Sequence, residues 1–388
     1  MTQRKARGSS KRTTRARARK GALAEGPGLP LKMIERIPKT DLHVHVDGSM
    51  RIATIWDLAK AQGVDLGARS HADLEKKLCV GDDCQSLVDY LRIFDITLKV
   101  LQEPEALERA AYELGIDSAA ENVWYMEVRY SPVLHLERRM SPADSVEAVL
   151  RGLKRAENET GIRTGAIICG IRQISPDVSL ELAELAIAYK NTGVVAFDLA
   201  GQEKDYPAKK HREAFYIILN NNVNTTVHAG EAFGPKSIHQ ALHYCGAHRI
   251  GHGTLLHEDR DLMQYVCDHR IPLEICLSSN VHTRVVPNLE AHPFRIYHEA
   301  GLRVTLNTDN RLISDTTMTK ELHLATRAFD LDPYELRHIV INGYRSAFIR
   351  YRDKQALLKS AITEMDKVIA EYYDLDDEAY LEEKATFP

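Results

Sequence analysis

The stretch TDLHVHVDGS (residues 40–49) places two histidines one residue apart in a short apolar run, with a carboxylate two residues after them. In a strand, positions i and i+2 project from the same face, so the imidazoles of His43 and His45 can reach one metal ion. The same pattern fits the polar face of an ordinary strand. The spacing alone therefore leaves both interpretations open.

Seven further apolar runs follow this one, and each is short enough to be a buried strand. With the first, they are residues 41–46, 123–130, 164–171, 194–200, 225–230, 249–253, 273–279 and 303–309. Amphipathic stretches separate them: residues 141–159 begin with Ser-Pro and residues 180–193 end with Gly, as helices do. Strands that alternate with helices in this number predict an α/β fold, a (β/α)8 TIM barrel, rather than an open doubly wound sheet.

Two segments are longer than a barrel requires. Residues 48–122 contain several helical patterns, including 86–101, and predict an inserted helical cap after strand 1, over the mouth of the barrel. Leu91, Phe94 and Leu98 recur there at helical spacing and could form an apolar lid or plain core. Residues 316–388 predict a helical C-terminal extension. Because residues 31–388 contain no repeat and no linker, we interpret them as a single domain.

The start of the chain differs from the rest in charge. Residues 1–20 contain nine Lys or Arg and no acidic residue, whereas the whole chain has a net charge of −4. We interpret residues 1–30 as a basic disordered tail, solvated and without a specific partner, in preference to a transit peptide or a nucleic-acid arm. The acidic remainder excludes a general nucleic-acid binder, although the tail could bind polyanions weakly.

The cysteines and the hydropathy suggest where the protein resides. The six cysteines form no CxxC pair, and several lie in apolar runs, as reduced structural thiols do. No apolar stretch approaches the roughly 18 residues that span a bilayer, and the start lacks the apolar segment of a secretory signal. We therefore expect a cytoplasmic protein that does not bind membranes.

Chemistry in a barrel of this type is located at the carboxyl ends of the strands, and polar residues concentrate there in this sequence. They are His43, His45, Asp47, Asp198, Gly201, His228, Glu231, His252, Ser278, Asn280, Asp309 and Asn310. The strands are otherwise interpreted as apolar. Ten other histidines, His292 among them, are in helical or loop contexts and are interpreted as structural, whereas His135, just after strand two, is left open.

A metal site emerges when His43 and His45 are combined with His228 and Asp309, since three imidazoles and one carboxylate suit a zinc ion. The absence of cysteine from this set argues against a closed structural site. Glu231 follows its strand and can transfer a proton, although an isolated glutamate there can equally favour a helix start. His252, flanked by glycines, can orient or deprotonate water, or be structural.

The sequence resembles a known protein family in seven short motifs. The motifs TDLHVHVDGS, MEVRYSP, AFDLAGQE, VHAGE, RIGHG, LEICLSSN and LNTDN occur in the order of the adenosine deaminase family, which includes adenine and aminodeoxyfutalosine deaminases. The resemblance extends from about residue 31 to at least residue 350. It implies a zinc-dependent hydrolytic deaminase with one zinc ion per chain, acting on a purine nucleoside in purine metabolism.

The resemblance also implies roles for single residues. The zinc ligands are His43, His45, His228 and Asp309; His45 also borders the substrate. Glu231 protonates purine nitrogen 1, and His252 lies beside the attacking water. Asp47 holds a ribose hydroxyl, and Gly201 faces the purine edge through its backbone amide. Asn310 contacts purine nitrogen 7; many members have a second aspartate here, which must be protonated to donate, whereas an amide donates directly.

Several alternatives remain open from the sequence. The substrate can be adenosine, 2′-deoxyadenosine, adenine or aminodeoxyfutalosine, and Asp47 favours a nucleoside because free adenine has no hydroxyl. A different mononuclear zinc amidohydrolase on the same barrel is a second possibility. Two-metal relatives usually bring a lysine from the end of strand four, where this chain has residues 198–201, DLAG. A non-enzymatic binding barrel would have lost a ligand or Glu231, and none is lost.

Overall fold

The apolar runs form a single sheet of eight parallel strands whose order in space follows their order in the chain. The computed structural model describes residues 17–18, 28–81 and 84–374. Its barrel strands are β1 (Lys39–His45), β2 (Val123–Tyr130), β3 (Arg163–Ile171), β4 (Val194–Ala200), β5 (Asn224–Ala229), β6 (Arg249–His252), β7 (Leu273–Ile275) and β8 (Val304–Leu306). The chain after β8 returns to β1, where Val44 pairs in parallel with Asp309. The predicted (β/α)8 TIM barrel is therefore confirmed.

In the described part of the chain, sixteen α-helices surround and cap the barrel. They are α1 (Leu31–Arg36), α2 (Ile52–Gln62), α3 (His71–Leu78), α4 (Leu87–Arg92), α5 (Phe94–Leu98), α6 (Pro104–Ala120), α7 (Pro142–Thr160), α8 (Pro176–Tyr189), α9 (Arg212–Asn220), α10 (Pro235–His243), α11 (Arg260–Asp268), α12 (Leu277–His282), α13 (Phe294–Glu299), α14 (Met318–Ala328), α15 (Pro333–Ser346) and α16 (Tyr351–Tyr372).

Helix α7 shows how the local sequence sets these boundaries. Ser141 accepts a hydrogen bond from the backbone amide of Asp144, whose side chain in turn accepts from the amide of Ser141. Pro142 occupies the first helical turn, where its missing N–H costs nothing, and Gly161 ends the helix with φ of 80°. The helix predicted over residues 141–159 is thus present, bounded by a capping box and a left-handed glycine.

Three predicted elements differ from the structure. The run 273–279 is a strand only over β7, and the chain then turns into α12, because a short apolar run does not distinguish a buried strand from a helix. The segment 86–101 forms α4 and α5 rather than one helix, with a tightened turn at Ile93, whose amide donates to the carbonyl of Tyr90. Helix α8 ends at Tyr189, four residues before Gly193.

The two long segments are located where the sequence predicts them. Helices α2 to α6 lie between β1 and β2 and form the inserted cap, and α14 to α16 form the helical extension after β8. The last part of that predicted extension, residues 375–388, lies outside the described residues. The hydroxyl of Tyr90 lies 2.8 Å from that of Ser314, and this contact connects the cap to the loop after β8. One cluster of buried hydrophobic side chains extends from Leu29 to Ile369.

The strands are not otherwise apolar, contrary to the prediction. Glu127, Arg129, Arg249 and Glu274 are fully buried inside the barrel. Arg249 bridges Glu127 and Glu274, while Arg129 binds Glu274 at 2.9 Å. Buried charges are tolerated only when they are paired and hydrogen-bonded, and here each arginine contacts two carboxylates. This network lies beneath the mouth of the barrel.

Of the predicted tail, the structure describes Arg17–Ala18, which pair antiparallel with Tyr373–Asp374, and residues 28–30, of which Leu29 is buried. The other positions before residue 28 lie outside the described residues, so the disorder predicted for residues 1–30 stays a prediction. Among the described helices, none combines the length and the apolar character needed to cross a membrane.

Candidate active site

A cavity of about 270 Å³ opens at the carboxyl ends of the barrel strands. Eight of the nine predicted site residues line it: His45, Asp47, Gly201, His228, Glu231, His252, Asp309 and Asn310. The ninth, His43, is fully buried close to them, with its ring centroid 4.5 Å from that of His228. The cap contributes apolar side chains to the cavity, namely Leu87, Leu91, Phe94 and Leu98. The stripe predicted as lid or core is therefore part of the lid.

The predicted metal ligands converge on one carboxylate oxygen. Asp309 Oδ1 lies 3.4 Å from the Nε2 atoms of both His43 and His45, and His45 Nε2 lies 3.3 Å from His228 Nε2. His252 is also close, since one ligand atom each from His43, His228, His252 and Asp309 lies within 4.8 Å of the others. Five side chains thus surround one point. Their contacts with residues outside this group must show which of them bind a metal and which only lie beside it.

Two histidines are oriented from behind by carboxylates. His43 Nδ1 lies 2.8 Å from Glu274 Oε2, and His228 Nδ1 lies 3.0 Å from Asp198 Oδ2. When Nδ1–H donates to a carboxylate, the lone pair of Nε2 faces the other way and is free to bind a metal. His43 Nε2 is buried and has no hydrogen-bond partner among the described residues. Such an atom is costly unless something binds it, which fits a ligand position.

Glu231 is located on the turn after β5, with Oε2 3.6 Å from His252 Nε2. The following helix, α10, begins only at Pro235, so Glu231 does not begin a helix. Burial raises the pKa of Glu231 well above its usual value, the charges of Asp309 and Glu203 raise it further, and that of Arg172 opposes them. A raised pKa favours the protonated form of Glu231, which can donate its proton.

The turn that holds Glu231 is fixed by a residue that the sequence did not single out. The carboxylate of Glu203 accepts hydrogen bonds from the backbone amides of Gly230, Ala232 and Phe233. These amides flank Glu231 on both sides, so the loop cannot shift without breaking charge-assisted hydrogen bonds.

Two site residues have a left-handed backbone that side chains other than glycine rarely adopt. His252 has φ of 62° and Asp309 has φ of 61°. Both lie where a strand ends at the cavity, and the conformation aims each side chain inward. Asp309 is held by its amide, which donates to the carbonyl of His43 at 2.7 Å, while His45 donates back to the carbonyl of Asp309 at 2.8 Å. Local strain of this kind concentrates at functional sites.

Asp47, Asn310 and Gly201 line the rest of the polar wall. Asp47 Oδ1 and Asn310 Oδ1 are buried without a hydrogen-bond partner among the described residues. Burial also raises the pKa of Asp47 to about 7. Gly48 is packed against Asn310, since a Cβ at Gly48 would lie 1.8 Å from Asn310 Oδ1. Gly201 has φ of 95°. Unsatisfied polar atoms at a cavity wall can bind polar groups of a ligand.

Sequence reasoning missed the groups that hold the site together. Glu274 and Arg129 are charged residues inside apolar runs, a signal that is readable in the sequence because a buried charge needs a partner. Asp198 was noted at the end of its strand, but without its contact to His228. Ser278 and Asn280 are not at a strand end, since both lie in α12. Asn280 is nevertheless fully buried and contacts His252.

Comparison with known proteins gives consistent matches over most of the chain. A family model described as adenosine deaminase matches residues 38–364. The adenosine deaminase of Mycobacterium leprae is 40% identical over 351 residues, which span 86% of this chain and 96% of that protein. A probable adenosine deaminase of Dictyostelium discoideum is 38% identical, and the match covers 83% of this chain but 42% of that protein. The solved structure of an adenine deaminase from Arthrobacter aurescens has a TM-score of 0.80 at 25% identity, covering 85% of this chain and 99% of that chain.

Proposed function

Because the chain belongs to the adenosine deaminase family, we propose that it is a zinc-dependent hydrolase that converts adenosine and 2′-deoxyadenosine into inosine and 2′-deoxyinosine with release of ammonia. The observation that carries this proposal is the convergence of three imidazoles and Asp309 on one point beside Glu231, whose pKa is raised, in a cavity that an apolar cap lines. Residues 31–388 act as one catalytic domain.

The donor set fits one zinc ion. We assign His43, His45, His228 and Asp309 as its ligands; the buried Nε2 of His43 without a partner supports this assignment. Histidine and carboxylate without cysteine is the composition of catalytic rather than structural zinc sites. A zinc ion bound there would supply hydroxide at neutral pH, since zinc lowers the pKa of water to about 7.

The reaction on the substrate is carried by Glu231 and its neighbours. As oxygen adds to carbon 6 of the purine, Glu231 donates its proton to nitrogen 1, which removes the aromatic resistance to addition. His252 and Asp309 orient the attacking water. One of its protons is passed to the amino nitrogen, which leaves carbon 6 as ammonia, and the other returns from the new hydroxyl group to Glu231 as carbon 6 becomes a carbonyl. The buried, carboxylate-rich surroundings raise the pKa of Glu231 and so favour the protonated form that this role requires.

The polar wall orients the nucleoside. Asp47 offers an unpaired oxygen to a ribose hydroxyl. The amide of Gly201 faces the purine edge, and the Nδ2 group of Asn310 donates to nitrogen 7. Phe94 and the leucines of the cap exclude water from the purine; the ring centroid of Phe94 lies 6.4 Å from that of His45. Water exclusion strengthens each of these hydrogen bonds.

A related 6-aminopurine is the second candidate substrate, since the Arthrobacter relative is an adenine deaminase; aminodeoxyfutalosine is a further one. Asp47 favours the nucleosides, because adenine has no ribose hydroxyl to bind the carboxyl group of Asp47. The partner we propose is thus a small purine nucleoside, with no specific nucleic acid and no membrane. The six free cysteines, four of them buried, support a reducing, cytoplasmic location.

The direct test is to incubate the zinc-loaded protein separately with adenosine, 2′-deoxyadenosine, adenine and aminodeoxyfutalosine. Ammonia release and the change in purine absorbance report turnover. We expect the highest kcat/KM for adenosine or 2′-deoxyadenosine. Preference for adenine would contradict the role of Asp47, and no turnover of any of the four would contradict the assigned activity.

A further inference from the structure

The Nδ1 atom of His252 is in contact with a chain of buried polar groups that leads away from the cavity. Asn280 Nδ2 lies 3.1 Å from His252 Nδ1, and His292 Nε2 lies 3.1 Å from Asn280 Oδ1. All three residues are buried. A histidine nitrogen can donate or accept, so the function of His252 depends on which of its nitrogens carries the proton.

The far end of the chain has an unambiguous donor. The backbone amide of Phe294 donates to His292 Nδ1 at 3.0 Å, so this nitrogen must accept. Burial, with the nearby charge of His257, lowers the pKa of His292 to about 3, and its imidazole is therefore neutral. A neutral imidazole that accepts at Nδ1 carries its proton on Nε2. His292 Nε2–H consequently donates to Asn280.

This donor sets the orientation of the Asn280 amide. Asn280 Oδ1 accepts from His292 Nε2–H and also from the hydroxyl of Thr254, at 3.1 Å in both cases. The reverse orientation would place the NH₂ group of Asn280 against the N–H of His292, two donors in contact. The NH₂ group therefore faces His252 Nδ1 and donates to it.

We infer that the Phe294 amide, His292 and Asn280 form a relay that holds His252 in the tautomer with its proton on Nε2. That nitrogen faces the cavity and lies 3.6 Å from Glu231 Oε2. Asn280 and His292 are thus positioning residues, and His252 is a hydrogen-bond donor to the reacting oxygen. The relay itself follows from geometry, whereas this consequence for catalysis rests on the proposed deaminase function.

The assigned tautomer also distinguishes the metal ligands from their neighbour. A nitrogen that carries a proton has no lone pair for a metal, so His252 cannot be a ligand through Nε2. His45 then completes the set of four, although a His252 nitrogen lies within 4.8 Å of the ligand atoms of His43, His228 and Asp309. A donor at Nε2 also cannot take the proton of the attacking water, which leaves Asp309 as its acceptor.

The tautomer can be observed directly by ¹⁵N NMR of histidine-labelled, zinc-loaded full-length protein, since protonated and unprotonated ring nitrogens resonate far apart. The His252 signals are assigned by their loss in a His252→Gln variant. We expect a protonated Nε2 and an unprotonated Nδ1. A proton on Nδ1 would overturn the inference, whatever the enzyme does with purines.

The relay is tested by Asn280→Asp, which keeps the shape but replaces the donor toward His252 by an acceptor. We expect the His252 proton to move to Nδ1 and kcat to fall about 10²- to 10⁴-fold with little change in KM. Thr254→Val is the matched control, because it removes a hydrogen bond to the same Asn280 oxygen but leaves the His292 donor in place. It should retain kcat and the Nε2 tautomer.

A second pair of variants, both at His292, distinguishes the loss of the relay from a loss of packing. His292→Gln supplies an amide donor toward Asn280 and should recover most of the kcat that His292→Leu loses. Equal losses in both variants, or parental kcat in Asn280→Asp, would show that the relay does not control His252. Because the NMR result stands without turnover, an inactive parental protein would refute the proposed activity and leave the tautomer measurable.

Discussion

Glu231→Gln is the substitution that most directly tests the chemistry of the site. Glutamine preserves the volume and the burial of Glu231, whose side chain is 6% exposed, but it has no proton of suitable acidity to donate to purine nitrogen 1. Loss of a general acid costs about 10² to 10⁴ in rate, or roughly 3 to 5 kcal/mol of transition-state stabilisation. Because Glu231 is not one of the four proposed ligands, zinc content should not change. We expect kcat to fall by this factor while KM for adenosine changes little.

The pH profile adds a second readout of the same variant. Burial raises the pKa of Glu231, so the protonated form that can donate persists well above the usual range and is lost as pH rises through the raised pKa. The kcat of the parental enzyme should therefore decline on the alkaline side, and the variant should lack this limb. The measurements are steady-state kcat and KM from ammonia release, and zinc content by metal analysis.

Glu321→Gln is the matched control, since Glu321 is equally buried but lies outside the cavity, where it accepts from the amide of Ser278 and the hydroxyl of Thr316. Its kcat at neutral pH should stay near the parental value. Turnover by Glu231→Gln within about tenfold of the parent, worth only ~1.4 kcal/mol, would refute the general-acid role. Loss of zinc from that variant would show instead that Glu231 supports the metal.

Two further predictions concern residues that hold the site in place, and a third concerns a buried carboxyl group outside the cavity. Asp198→Asn weakens the orientation of His228, and zinc affinity measured by chelator competition should fall about 10- to 100-fold; unchanged affinity would contradict the role of Asp198. Gly48→Ala places a Cβ where Asn310 packs, so kcat/KM for adenosine should fall by about 10²-fold while the circular dichroism spectrum stays native. Burial raises the pKa of Glu321 from 4.5 to about 7, so its contribution to stability is present below pH 4.5 and lost as pH rises through 7. Urea unfolding should show the parent losing roughly 3 kcal/mol over this interval relative to Glu321→Gln, and parallel pH profiles would contradict the shift.

The sequence predicted the barrel and the residues at its mouth because both depend on local patterns. Strand length, apolar character and the alternation with helices are visible in any short window, and the geometry of a parallel barrel then places every strand end at one face. His43, His228 and Asp309 could be combined for this reason, although β1 and β8 are far apart in the chain. The boundaries of β7 and α4 were less predictable, since short apolar segments fit either element.

The orientation of the site residues could not be predicted, because it depends on side chains that meet only in the folded protein. His292 is in a loop and has no local feature that separates it from the other histidines interpreted as structural. Its role follows from two distances, to the amide of Phe294 and to Asn280. The direction of each hydrogen bond depends on all the donors and acceptors of its network. No short stretch of the sequence contains such a network.

Arg129 shows how the buried charges and the metal ligands depend on one another. Its guanidinium donates to Asp198 and to Glu274 at 2.9 Å each, and these two carboxylates orient His228 and His43. One planar fork therefore sets the direction of two ligands, which a lysine with a single ammonium group could not do.

Within the buried network the two arginines face Glu127, Asp198 and Glu274, and Asp309 adds a further carboxylate at the metal position. Two positive and four negative groups leave a formal charge of −2, which a divalent cation neutralises. The charge of this network and the ligand geometry at the mouth of the barrel thus favour the same ion.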